Sequence, residues 1–199
     1  VAAEPTTTTP GASSAAEREF IPGTEEPMPE VTTETLVLRK VQGALAKPPV
    51  VKAARAMSLF GEHAAGWLAI GAVGALVDRK RRGEWVAAAA GVAFAHGASI
   101  GVKRVVRRSR PGDPQVKVLV GTPSKLSFPS SHATSTTTAA VLYGGLLGKR
   151  LTPALVPPMM VSRMVLGVHY PSDVLAGSAL GGAVALGVRR FTRRRRNRG

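Results

Sequence analysis

Five apolar stretches of helical length, none with a polar face, constrain this chain more than any other feature. They run over residues 57–77, 85–102, 132–148, 151–168 and 174–188. A membrane span needs roughly 20 mainly apolar residues, so each lies near the border between a span and a buried core helix. The missing polar face decides between them. Trp85-Val-Ala-Ala-Ala-Ala-Gly-Val-Ala-Phe-Ala is apolar all round, and in the last stretch only Ser178 interrupts the Ala, Gly, Val and Leu run. A soluble helix would show a stripe. Small residues four apart, Gly71 with Ala75 and Gly177 with Gly181, fit helices that approach closely in lipid. The sequence therefore predicts an all-α polytopic membrane bundle of about five transmembrane helices.

Charge divides the chain. The 199 residues carry 27 Lys+Arg against 12 Asp+Glu, a formal net of +15. Residues 1–38 hold seven Glu and one Arg, a net of −6, so residues 39–199 carry +21. The first 38 residues are built largely from Thr, Pro, Ser, Ala and Glu, which cannot bury enough surface to offset ordering entropy. They are expected to form a disordered acidic tail with no secretory-signal pattern, ahead of a membrane domain over 39–192 and a basic tail over 193–199. Cysteine is absent, which excludes disulfides, thiolate metal sites and a Cys nucleophile.

The polar residues that could do chemistry sit in three segments between the apolar stretches. In the first, Lys103-Arg-Val-Val-Arg-Arg-Ser-Arg110-Pro111, the positions of Lys103, Arg107 and Arg110 fall on one helical face, a cationic surface suited to phosphate. In the second, Phe128-Pro-Ser130-Ser131-His132, a serine N-cap opens a helix whose first-turn N–H groups favour an anion beside His132. The third, Ser162-Arg163-x5-His169-Tyr-Pro171-Ser-Asp173, places an Arg, a His and an Asp in an apolar junction, where ionisable groups are costly unless they pair or work. Asp173 can hold one nitrogen of His169 as N–H and leave the other as a base or nucleophile. Taken singly, each segment also fits a solvated helix end.

Taken together in order, Lys-x6-Arg-Pro, Pro-Ser-Ser-His and Ser-Arg-x5-His-x3-Asp resemble the tripartite motif of the type 2 phosphatidic acid phosphatase superfamily. Ser131 stands where that family usually has glycine. The resemblance implies a metal-independent phosphatase with no cofactor. His169 would attack phosphorus to give a phosphohistidine, Asp173 would orient it, and His132 would protonate the leaving alcohol and later activate water. Lys103, Arg110, Arg163, Ser130 and the Ser131 N–H would hold the phosphoryl oxygens. His96, on the Lys103 face, and Glu62-His63 read instead as polar pairing between helices.

The sequences Gly61-Glu-His-Ala-Ala-Gly-Trp and Val102-Lys-Arg-Val-Val-Arg-Arg look like actinobacterial members proposed to dephosphorylate decaprenylphosphoryl-5-phosphoribose for cell-wall arabinan synthesis. Undecaprenyl diphosphate and phosphatidylglycerol phosphate stay open as substrates. A basic nucleic-acid-binding protein is the reading from another class, but 5% aromatic content does not suit it. A non-catalytic membrane scaffold is disfavoured by the complete motif set. The partners expected are thus a lipid-linked phosphate and the bilayer, without nucleic acid.

Sidedness follows from the cations. The face opposite the motifs holds 13 Lys/Arg, whereas the motif face keeps 10 once Lys103, Arg110, Arg163 and the tail's Arg18 are set aside. The positive-inside rule then puts the C-terminus in the cytoplasm of a plasma-membrane protein and the active site outside it. Deleting residues 1–34 is expected to spare turnover, since no motif falls there.

Overall fold

The computed structural model describes residues 31–197. Seven α-helices follow in order: α1 Thr33–Leu45, α2 Pro48–Gly61, α3 Ala65–Val77, α4 Arg82–Val106, α5 Ser131–Leu147, α6 Thr152–Val165 and α7 Pro171–Arg196. No strand occurs among the described residues; an isolated bridge between Ser109 and Leu126 closes the long α4–α5 connection. The all-helical membrane architecture expected from the sequence is the one observed.

The bundle is built around α5. It packs against α3, α4, α6 and α7, and 12 of its 17 residues are buried. Its sequence, Ser-His-Ala-Thr-Ser-Thr-Thr-Thr, looks unsuited to a core, yet all its hydroxyls but that of Thr137 find helix carbonyls or neighbours. Thr134 Oγ1 donates to the Ser130 carbonyl at 2.9 Å, Thr138 Oγ1 to the Thr134 carbonyl at 2.9 Å, and Trp67 Nε1 to Thr136 Oγ1 at 3.2 Å. Small residues on α7 let the two backbones close. A Cβ on Gly181 would lie 2.3 Å from the Thr134 carbonyl oxygen, and one on Gly177 2.5 Å from that of Ser130. The Gly177/Gly181 expectation holds, and larger side chains there would force α5 and α7 apart.

The outer helices show the reverse pattern. Val73, Leu76, Val86, Phe94, Leu175 and Leu186 are exposed, while polar α5 is enclosed, as expected where the surrounding solvent is hydrocarbon. Three helical segments are long and apolar enough to span a bilayer: Pro48–Val77, Arg79–Val106 and Pro171–Arg194. The other two expected spans fall on α5 and α6, which have 17 and 14 residues. The basic runs gather at the end away from the motifs, where Arg81 Nη1 donates to the Leu146 carbonyl at 2.7 Å.

The tail boundary needs correction. Residues 33–38, placed in the tail by composition, form the start of α1, capped by Thr32 Oγ1, which accepts from the Thr35 N–H at 3.3 Å. Leu38 is fully buried. Gln42 Nε2 donates to the Lys117 and Val165 carbonyls at 2.7 and 3.0 Å, so α1 is tied to both the α4–α5 connection and α6. A short amphipathic helix within a Thr- and Glu-rich neighbourhood is easily averaged into that composition. Residues 1–30 of the expected tail lie outside the described residues, as do the last two residues of the basic one.

Candidate active site

The turn between α6 and α7 sets His169. Gly167 takes φ +70°, and a Cβ there would sit 2.3 Å from the Lys117 carbonyl oxygen, so the chain reverses tightly at a residue without a side chain. Pro171 then opens α7 at the position proline favours. Asp173, in the first turn, reaches back to accept from the Tyr170 N–H through Oδ2 at 2.8 Å, as an N3 acid does in a capping box. The same oxygen stands 3.4 Å from His169 Nδ1, an ion-pair distance rather than a hydrogen bond. On the far side of the ring Arg110 Nη1 lies 3.2 Å from Nε2. An arginine can only donate, so Nε2 accepts and Nδ1 carries the proton toward Asp173. His169 is 2% exposed; burial first, then the charges of Arg110, Arg163 and Lys103, push its pKa well below the usual 6.5.

Three cations converge on a cavity of about 380 Å³ that this ring also lines. Lys103 Nζ donates to the Ser127 and Leu126 carbonyls at 2.9 and 3.3 Å, which leaves one ammonium proton free. Arg110 is fixed by the Ser124 and Val168 carbonyls at 2.8 and 2.6 Å. Arg163, 2% exposed, donates from Nη1 to Ser58 Oγ at 2.6 Å, while its Nε is buried with no partner. Such a donor is costly to leave unmade, and the Arg163 side chain lines the cavity, where its charge suits an anion. Ser131 and His132 line the same cavity from the start of α5, whose first-turn N–H groups add positive potential.

The second motif supplies the serine N-cap that its sequence suggested, at Ser130. Ser130 does not line the cavity. Its Oγ accepts from the Ala133 N–H at 3.4 Å as the α5 cap, and its N–H donates to the Asp173 carbonyl at 2.9 Å, which joins α5 to α7. Ser131 Oγ lies 2.7 Å from Ser99 Oγ, which is also 2.6 Å from the His96 carbonyl. With one proton to give, Ser99 donates to the carbonyl and accepts from Ser131, so the extra hydroxyl is held aside. His132 Nε2 donates to the Ser58 carbonyl at 2.9 Å.

Beyond Lys103 the expected cationic face is not formed. α4 ends at Val106, and Arg107 leaves it in a left-handed conformation (φ 54°) with its Nε on the Arg104 carbonyl. Arg110 reaches the site from the connecting segment instead. Arg108 turns inward behind Asp173: Nη1 donates to Oδ1 at 3.0 Å and to Ser172 Oγ at 2.6 Å, and Nη2 pairs with Glu34 of α1. Its guanidinium lies 4.2 Å from the Tyr170 ring centre. The Glu34 carboxylate also accepts from the Ser172 N–H at 2.9 Å; burial would raise its pKa, but Ser172 and Arg108 outweigh burial and lower it. Sequence reasoning missed Glu34, Arg108, Ser58 and Ser99 as parts of the site. The signal for Ser58 was present: with Gly61 it forms a small-residue pair one turn apart, and a Cβ on Gly61 would meet His132 Cδ2 at 2.7 Å.

Glu62, His63 and His96 also line the cavity, together with Arg104. They were expected to pair between helices. The two imidazole rings, from the α2–α3 turn and α4, stand 6.4 Å apart with no hydrogen bond between them.

Residues 84–197 match the PAP2 superfamily. The chain belongs to that superfamily. It is 57% identical over 145 residues, 72% of this chain and 81% of the relative, to a decaprenylphosphoryl-5-phosphoribose phosphatase of Mycolicibacterium smegmatis. It is 52% identical over 152 residues, 76% of this chain and 86% of the relative, to the Mycobacterium tuberculosis protein of that name. Its fold resembles the crystal structure of a transmembrane PAP2-type phosphatidylglycerolphosphate phosphatase from Bacillus subtilis, with a TM-score of 0.65 at 20% identity over 82% of this chain and 89% of that one. The superfamily match begins within α4, so Glu34, Ser58, Gly61, Glu62 and His63, which come from α1, α2 and the turn before α3, precede the matched region.

Proposed function

We propose that this membrane phosphatase removes the terminal phosphate of decaprenylphosphoryl-5-phosphoribose through a phosphohistidine on His169. The observation that carries the reading is the His169 ring itself: Nε2 beside Arg110 at 3.2 Å, Nδ1 backed by Asp173 at 3.4 Å, in a cavity shared with Lys103, Ser131, His132 and Arg163. The substrate assignment rests on the relatives that are 52–57% identical.

In the first step the phosphoryl oxygens lie against Lys103, Arg110, the free Arg163 Nε and the first-turn N–H groups of α5, where charge grows in the transition state. His169 Nε2 attacks phosphorus and the P–O bond to the sugar breaks. His132 enters this step as the imidazolium, favoured by the arriving phosphate charge: its Nε2–H stays on the Ser58 carbonyl and its Nδ1 proton passes to the leaving oxygen. In the second step water attacks the phosphohistidine, His132 Nδ1 takes its proton, the P–N bond breaks and phosphate departs. Asp173 stays ionised behind Nδ1–H throughout and stabilises the positive ring. The protein sits in the plasma membrane with the cavity on the extracytoplasmic side, the arginines at the other end facing anionic lipid.

The test is phosphate release from decaprenylphosphoryl-5-phosphoribose, undecaprenyl diphosphate and phosphatidylglycerol phosphate by the purified chain. The phosphoribose lipid should give the highest kcat/KM; a preference for either of the others overturns the substrate assignment. Because the chain has no cysteine, single cysteines report sidedness directly. Gly112→Cys should label from outside intact cells and Lys149→Cys only after permeabilisation; the reverse pattern overturns the orientation.

A further inference from the structure

The phosphate cations are only part of the cavity's lining. Glu62, His63 and His96 line it as well, and the chemistry above does not use them. At about 380 Å³ the space is that of a small-ligand pocket and takes a larger group than a phosphoryl.

The chain goes to some lengths to put these side chains there. Between α2 and α3 the helix breaks for one turn, Glu62–Ala64, in which His63 and Ala64 both take left-handed conformations, φ 49° and 59°. Neither is glycine, so each is strained, and strain of this kind persists where function holds it. Without that turn α2 would run straight into α3.

Glu62 is the one acid among the described residues that lines the cavity. Glu34, Asp78, Asp113 and Asp173 each pair with an arginine, whereas Glu62 makes no side-chain hydrogen bond or ion pair among the described residues. Beside it the His63 and His96 rings stand 6.4 Å apart and tilted by 50°, and His96 Nδ1 is buried with no partner. A carboxylate accepts from neighbouring hydroxyls, and an imidazole can donate or accept. A second phosphate in the same place would meet the Glu62 charge with its own.

We propose that Glu62, His63 and His96 form a polyol subsite that reads the hydroxylated group bearing the scissile phosphate, with Glu62 turning diphosphates away. The proposal rests on the phosphatase reading and adds the reason for its selectivity: His169 and its cations supply chemistry common to many phosphates, and this strained turn supplies the choice among them.

The experiment gives the full chain in detergent micelles three substrates: decaprenylphosphoryl-5-phosphoribose, a phosphatidic acid and farnesyl diphosphate. The readout is the ratio of kcat/KM values within one preparation, which cancels any loss of folded protein. Glu62→Gln should lower the phosphoribose-to-phosphatidate ratio about tenfold and raise the diphosphate-to-phosphatidate ratio, as expected for removing one polar contact and one repulsion. His63→Gln and His96→Gln should each lower the first ratio about threefold or more. Ratios within twofold of wild type in all three variants overturn the subsite and leave the phosphatase intact. No release from either monoester by the wild-type chain overturns the phosphatase reading itself.

Discussion

Two parts of the cavity lining are built on opposite terms. In the phosphate part, Lys103, Arg110 and Arg163 are held by fixed partners: Ser127 and Leu126, Ser124 and Val168, and Ser58. Elsewhere in the lining, Glu62 and His63 are exposed and lack such partners, and they ride on a strained turn. Donors fixed before substrate arrives lose little on meeting developing charge, so the first part is organised for the transition state. The second is organised to be completed by whatever enters. One cavity thus separates catalysis from recognition, and substitutions should sort accordingly.

The largest effect belongs to the nucleophile. His169→Ala should reduce phosphate release from every substrate by roughly 10,000-fold or more, measured as kcat, because no other group can form the covalent intermediate. Arg163→Ala should cost roughly 100- to 1,000-fold in kcat on every substrate alike, since it removes one of the buried cations that meet the phosphoryl group. Loss confined to one substrate would move Arg163 from catalysis to recognition.

An intermediate effect should come from behind Asp173. Glu34→Gln removes the charge that shares Arg108 with the carboxylate; both partners are about 30% exposed, so the stability cost should be only about 1 kcal/mol, read by thermal unfolding in detergent. The expected activity loss is roughly tenfold, in kcat rather than KM, from a less firmly held Asp173. The boundary correction changes the truncation experiment accordingly. Removing residues 1–30 should leave turnover largely intact, whereas removing 1–34 should reproduce the Glu34→Gln loss.

Smaller effects concern titration and Ser131. His169 has a folded-state pKa below its unfolded value, so folding favours the unprotonated ring. The stability this contributes is present above pH 6.5 and is lost as pH falls below it. Melting temperature should therefore drop more between pH 6.5 and 5 in the wild type than in His169→Gln. Ser131→Gly should alter kcat/KM by no more than about threefold, because the hydroxyl it removes bonds Ser99 rather than substrate.

Much of this site was legible because the motifs lie at chain reversals, where sequence spacing and spatial position agree. Pro171 and Asp173 announce a helix start, and the His169–Asp173 juxtaposition follows from it. The Lys103–Arg107–Arg110 face failed for the complementary reason. It assumed that α4 continues, and periodicity carries no information beyond the residue at which a helix ends. Arg110 arrives through the fold of the 107–130 connection, which contains no repeating pattern. Glu34 and Ser58 were hidden by distance, lying 74 and 105 residues from the arginines they contact. Composition misjudged α1 because one short helix contributes little to the average of an acidic segment. The serine cap of α5 was legible as well, and Ser130 is the residue that supplies it.

The central claim is the covalent intermediate on His169. The direct measurement is rapid mixing of the purified chain with substrate carrying a radiolabelled terminal phosphate, followed by alkaline denaturation and peptide mapping, since a phosphorus–nitrogen bond survives base and breaks in acid. The account predicts base-stable, acid-labile label on the peptide containing His169 in the wild type and none in His169→Ala. Label on another residue, or full turnover by His169→Ala, would contradict it.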